Sequence, residues 1–210
     1  MDFLFNGRAD AKATVLLAHG AGAPMDSASI QAAAEALASE GLRVARFEFA
    51  YMASRRTDAG RKPPPRAESV RPEFKNAVAA LAADSPLVIG GKSMGGRVAS
   101  MVADELLEAG QIAGLLCLGY PFHPPDKPDQ LRTRHLVALK TPTLIFQGTR
   151  DEFGGIQEVP GYPLSSAIAV HWLSDGDHDL KPRKASGHTT AGHLRTMAQT
   201  TAQWIDQLGR

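Results

Sequence analysis

Within the 210 residues, Gly91-Lys92-Ser93-Met94-Gly95 has the residue types of a nucleophile turn, G-x-S-x-G. A serine hydroxyl attacks poorly until a base takes its proton. Small residues on either side allow a turn sharp enough to lift Oγ out of the backbone, and the N–H groups that follow can hold an oxyanion. The segment follows the apolar run Leu87-Val88-Ile89 and opens a helical pattern near Gly95, the strand–turn–helix setting the motif requires. Its end also looks like a phosphate loop, but the glycine such a loop needs five positions before Gly91 is Pro86, and the residues between are apolar strand formers. Gly20-Ala21-Gly22-Ala23-Pro24-Met25 begins like a dinucleotide turn, yet Met25 stands where the third glycine belongs and Pro24 lacks a donor. The plainer reading of Ser93 is a turn serine that helps a helix start.

A nucleophilic serine needs a histidine base and an acid to orient it, expected here in the order Ser, acid, His. Asp151 lies in Gly148-Thr149-Arg150-Asp151, after the run Thr143 to Phe146, and His178 lies in Gly176-Asp177-His178-Asp179, after the next run. Both are strand-end loops. His123 competes as base because its loop also follows a strand. Glu152 and Asp126 compete as acid, and Asp151 could instead bond the loop backbone beside Gly154 and Gly155. Asp177 and Asp179 flank His178, and neighbours in sequence rarely have the geometry to bond its Nδ1. His19 is read as shaping the oxyanion turn, His135 and His193 as helical, His171 as a strand residue, and His188 as preceding the last helix. The oxyanion donors expected are the N–H groups of Met94 and Ala21.

The elements that must hold these residues can be read from hydrophobic pattern. Near-continuous apolar runs at Thr14–Ala18, Leu42–Phe49, Pro86–Ile89, Gly114–Leu118, Pro142–Phe146 and Ala167–Leu173 suit strands buried on both faces. Helical spacing appears over Ser27–Glu40, Ser69–Ala83, Gly95–Ala109 and Thr190–Leu208. The alternation predicts an α/β fold, a doubly wound and mostly parallel sheet, with residues 1–210 as a single domain. Two proline-rich loops, Tyr51–Glu68 and Gly119–Asp129, follow strands and are candidate pocket walls; the first is predicted to hold no regular helix. That loop carries Arg55, Arg56, Arg61, Lys62 and Arg66. Arg55 and Arg56, with His123, are candidate substrate-binding residues for an anionic ligand; the alternative is a solvated loop whose charges are kept apart by prolines.

A net charge of +1 and 43% hydrophobic content give no bias toward nucleic acid or membrane. The single cysteine, Cys117, sits in an apolar run and reads as a buried, inert thiol. No Cys/His spacing suggests a metal site, and no cofactor is expected. Met1-Asp2-Phe3-Leu4-Phe5 lacks the pattern of a secretory leader and no segment reaches membrane-span length, so a cytoplasmic location is expected.

Together, His19-Gly20-Ala21-Gly22-Ala23, Phe47-Glu48-Phe49-Ala50-Tyr51-Met52, Gly90 to Arg97, Gly119-Tyr120-Pro121-Phe122-His123-Pro124, Gln147 to Asp151 and Gly176 to Asp179 resemble the α/β-hydrolase superfamily. More narrowly, they resemble small bacterial predicted α/β-hydrolases related to the hydrolase-like domains of testis-expressed and chromatin-complex subunit proteins. The resemblance implies the fold and a catalytic triad of Ser93, Asp151 and His178. It implies a serine hydrolase, of carboxylesterase or thioesterase type, acting on a small-molecule ester or thioester. Relatives in chromatin complexes keep open a non-catalytic binding or scaffold protein. Typical members insert a helical cap after the sixth strand; here only Gly119 to about Ala138 is available. A loop and a short helix, a minimal cap and an open site are expected, with exposed apolar edges that would suit a homodimer.

Overall fold

In the computed structural model, which describes residues 1–57 and 63–208, seven strands form one sheet. They are β1 (Leu4–Asn6), β2 (Thr14–Ala18), β3 (Arg43–Phe47), β4 (Leu87–Lys92), β5 (Gly114–Leu118), β6 (Thr143–Gly148) and β7 (Ile168–Leu173). Their spatial order is β1-β3-β2-β4-β5-β6-β7; every neighbouring pair is parallel except β1 with β3. The alternation of side chains along a strand sorts the apolar runs onto two faces. Val15, Leu17, Val44, Val88, Leu116 and Phe146 face one core, covered by α1 (Ala28–Ser39) and by the last helix. Leu16, Ala45, Phe47, Ile89, Leu115 and Ile145 face the other. After a short α2 (Ala50–Ser54), that second core is covered by α3 (Arg71–Leu81) and α4 (Met94–Glu108); α5 (Thr190–Ile205) is the last helix. Burial on both faces explains why the strands read as unbroken apolar runs.

The chain winds outward from β2 to β3, then returns past β2 to β4 and continues to β7. The reversal leaves a crevice between the C-terminal ends of β2 and β4, where open α/β sheets bind ligands. His19 and Ser93 stand at those two ends.

Three expectations are corrected. Strand β1 was not foreseen; three residues are too few to show a period. The prolines predict no helix over Tyr51–Glu68, but Ala50–Ser54 is helical and Ala67–Val70 forms a single 3₁₀ turn leading into α3. The prolines do enforce non-helical chain from 63 to 66. Between β5 and β6 no helix forms: residues 134–138 make only turns. This segment lies down on α4, burying Tyr120, Phe122, Leu136 and Leu139. Asp104 of α4 anchors it, accepting hydrogen bonds from the Lys140 and Thr141 N–H groups. The stretch that could have made a cap is thus a strap on the body of the fold. Among the described residues no helix is long and apolar enough to cross a membrane.

Candidate active site

Ser93 sits between β4 and α4 with φ 51° and ψ −116°, a conformation that L-residues rarely adopt. Close contact between strand and helix holds it there. A Cβ placed on Gly91 or on Gly95 would stand 2.4 Å from the Ala18 carbonyl oxygen of β2, so glycine alone fits either side of the elbow. The Ser93 N–H donates to the Leu118 carbonyl at the end of β5 (3.0 Å). The turn is therefore tied to both neighbours of its strand.

The side chains join three strand ends. Ser93 Oγ lies 2.8 Å from His178 Nε2, and His178 Nδ1 lies 2.9 and 3.0 Å from the two carboxylate oxygens of Asp151. An ionised carboxylate can only accept, so Nδ1 carries the imidazole proton and Nε2 presents its lone pair to the serine hydroxyl. The Asp151 side chain is fully buried and also accepts from the Phe153 N–H (2.8 Å) and Gln147 Nε2 (2.8 Å). Lys92 holds the histidine loop: its Nζ donates to the His178 carbonyl (3.1 Å) and pairs with Asp179 (2.7 Å). The Phe153 ring lies 4.1 Å from the His178 ring, centroid to centroid. Asp177 turns away and accepts from the N–H groups of Asp179 and Lys181.

The Met94 N–H opens α4 and has no acceptor within its helix. Neither it nor the Ala21 N–H donates to a protein acceptor among the described residues. Two braces fix the Ala21 turn. The Phe49 N–H donates to His19 Nε2 (3.1 Å), so His19 keeps its proton on Nδ1, which meets the Gly20 carbonyl at 2.7 Å. Tyr51 Oη donates to the Ala21 carbonyl (3.1 Å). Burial holds the His19 pKa below its ordinary value, so the ring stays neutral.

The sequence profile of a family described as "Alpha/beta hydrolase domain" matches residues 11–206. The chain belongs to that family. Among solved structures, the α/β-hydrolase domain is similar to a dienelactone hydrolase from Anabaena variabilis (19% identity, TM-score 0.72, covering 99% of this chain and 92% of that one). It is also similar to a serine hydrolase without lid from Xanthomonas campestris (18%, TM-score 0.69, 100% and 90%) and to the esterase domain of a Rhodothermus marinus protein (16%, TM-score 0.67, 97% and 91%). At these identities the likeness is one of fold.

A cleft of about 370 Å³ opens over Ser93 in the α/β-hydrolase domain, walled by Ala21, Met94, Pro121 and Phe153. Arg55, Arg56 and His123 are not among the residues that line it. Arg56 is engaged elsewhere, paired with Asp26 (2.9 Å) and Glu48 (2.8 Å), which lie outside the loop and are hence invisible to a reading of it. The Arg55 guanidinium lies over the Tyr51 ring at 5.2 Å. His123 is buried beside Glu158, with Nδ1 against the Pro124 carbonyl. Arg61 and Lys62 lie outside the described residues. The cleft's cations are instead Arg66, Arg97 and Arg132, with Glu68 among them. Of these, Arg97 and Arg132 were missed, as were Gln147, Lys92 and Phe153 as supports of the site. Gln147 did leave a signal: a polar residue closing an apolar strand run.

Proposed function

We propose that this chain is a serine hydrolase that cleaves a carboxylic ester or thioester through an acyl-Ser93 intermediate. The observation that carries the reading is the continuous chain of contacts from buried Asp151 through His178 to Ser93 Oγ, at an elbow opening into the cleft. Membership of the α/β-hydrolase family and a sheet that positions both strand-end loops support it.

In this mechanism Ser93 Oγ attacks the substrate carbonyl carbon while His178 Nε2 takes the hydroxyl proton. Asp151 stabilises the imidazolium and holds the ring in place without taking its proton. The carbonyl oxygen becomes an oxyanion held by the N–H groups of Met94 and Ala21; losing one such donor typically costs about 2.7–4 kcal/mol of barrier. Collapse breaks the bond to the leaving oxygen or sulfur, which takes the proton from His178. Water then attacks the acyl-enzyme with His178 again as base, releasing the acid and restoring Ser93. These steps use the protein's own groups, with water as the second substrate.

The test is intact mass after treatment with a fluorophosphonate. The wild type should gain one adduct, and Ser93→Ala and His178→Ala, each checked to be folded, should gain none. A folded wild type that stays unmodified would overturn the hydrolase reading in favour of a binding or scaffold protein of the same fold.

A further inference from the structure

The charges lining the cleft do not balance. Arg66, Arg97 and Arg132 face a single carboxylate, Glu68. Arg97 stands one helical turn after Ser93 on α4, and its guanidinium pairs with Glu68 at 2.6 Å. Its side chain is only 17% exposed and its Nε is buried without an acceptor among the described residues. Arg132 comes from the strap across the cleft and is half-buried. The strap fixes its backbone: the Arg132 N–H donates to the Phe122 carbonyl (2.7 Å), and the Arg132 carbonyl accepts from Tyr120 Oη (3.1 Å). Its guanidinium has no hydrogen bond or ion pair among the described residues. Burial, and next the charge of Arg97, hold its pKa below the ordinary arginine value. On this partly desolvated wall Glu68 pairs with Arg97, and Arg132 is left without a carboxylate of its own. Exposed Arg66 sits at the rim.

We propose that the cleft selects esters or thioesters bearing a second, free carboxylate, which Arg132 and Arg97 bind while Ser93 attacks the ester carbonyl. The proposal rests on the reading of Ser93 as nucleophile. A carboxylate supplies the single missing charge, and its two oxygens match the planar donor fork of arginine. The carboxylate sits on either the acyl or the alcohol side of the scissile bond, and substrate pairs separate the two.

The acyl side is tested with mono-4-nitrophenyl glutarate against 4-nitrophenyl pentanoate. The alcohol side is tested with 4-carboxyphenyl acetate against 4-carbamoylphenyl acetate. All rates are corrected for the rate with Ser93→Ala. One pair should show a preference of about tenfold or more in kcat/KM for the carboxylate. Arg132→Met should reduce that ratio by about tenfold, chiefly through KM, and Arg132→Lys should restore part of it. Glu68→Gln removes the competing carboxylate and should move the ratio the opposite way, a result that survives if Arg132→Met fails to fold. Protein that is modified by fluorophosphonate yet shows no preference in either pair, or a preference unmoved by Arg132→Met and Glu68→Gln, overturns this proposal and leaves the hydrolase reading standing. Protein that is not modified overturns both.

Discussion

Gln147 offers the sharpest test of how the site is held. Its side chain, fully buried at the end of β6, accepts from the Tyr120 N–H (2.8 Å). It donates to Asp151 Oδ2 (2.8 Å), to the Gly154 carbonyl (3.0 Å) and to the Tyr120 carbonyl (3.1 Å). Gln147→Leu keeps the bulk and removes every polar atom. The Tyr120 carbonyl would keep the Phe122 N–H, and Asp151 would keep Phe153 and His178. The Tyr120 N–H and the Gly154 carbonyl would be left without partners. At about 1–3 kcal/mol for each buried unsatisfied group, the loss should be roughly 4 kcal/mol. For a chain of this length that corresponds to a fall in Tm of about 8–16 °C. Gln147→Glu separates stability from chemistry. Its second oxygen would face three acceptors, so the carboxyl must keep its proton and its folded pKa must rise above about 4.3. Stability should then be best at low pH and fall as pH rises, because the unfolded chain releases a proton that the folded one retains. Thermal scans of both variants from pH 4 to 8, beside fluorophosphonate modification rates, make the check. A Gln147→Leu protein within about 1 kcal/mol of wild type would refute the hydrogen-bond reasoning.

Three further outcomes are expected. Lys92→Met releases the His178 carbonyl and Asp179, so kcat should fall about tenfold with KM nearly constant; equal losses in both would instead mark Lys92 as a general structural residue. Gly95→Ala forces a Cβ against the Ala18 carbonyl at 2.4 Å and should destabilise by about 3 kcal/mol in denaturant titrations, an unchanged midpoint excluding the close contact. His135 lies 2.8 Å from Ser100 Oγ, and burial lowers its pKa from 6.5 to about 4. Above about pH 6.5 both states are neutral at this ring; between there and pH 4 only the unfolded chain takes the proton, so stability falls on acidification by roughly 2–3 kcal/mol. Buried His19 adds to the same slope. His135→Gln should flatten that acid limb in denaturant titrations at pH 7 and pH 4.5.

The parts of the molecule legible in sequence are those governed by local rules. The double-faced burial of β2, β5 and β6 writes itself as unbroken apolar runs, and the glycines at 91 and 95 are demanded by backbone contact whatever surrounds them. Asp151 and His178 could be picked by chain order and strand-end position, because a parallel sheet brings successive strand ends to one edge. Pairings made across the fold left no such trace. Arg56 looked free beside Arg55 because its partners Asp26 and Glu48 lie 30 and 8 residues away. Arg97 lies on a helix face and Arg132 just past the second proline-rich loop, 35 positions apart, with nothing local to say that they share a wall. The five-residue α2 is too short for helical periodicity to register.

That division follows how the site is built. The elbow is fixed from several directions: β2 presses on its glycines, β5 accepts the Ser93 N–H, and Lys92 ties it to the histidine loop. A change in any of these moves Oγ relative to Nε2. The charged wall depends on less. Arg132 rides on a strap that Tyr120 braces from within and Asp104 pins to the body, and Arg97 projects from α4 a full turn beyond the elbow. Replacing either guanidinium leaves every contact from Ser93 to His178 and Asp151 intact. Substitutions on this wall should therefore act on substrate preference while the fluorophosphonate rate constant, which reports the nucleophile alone, stays close to that of the parent protein. A parallel fall in both would mean that the wall and the elbow form one unit, and the assignment of selectivity to the strap would have to be abandoned.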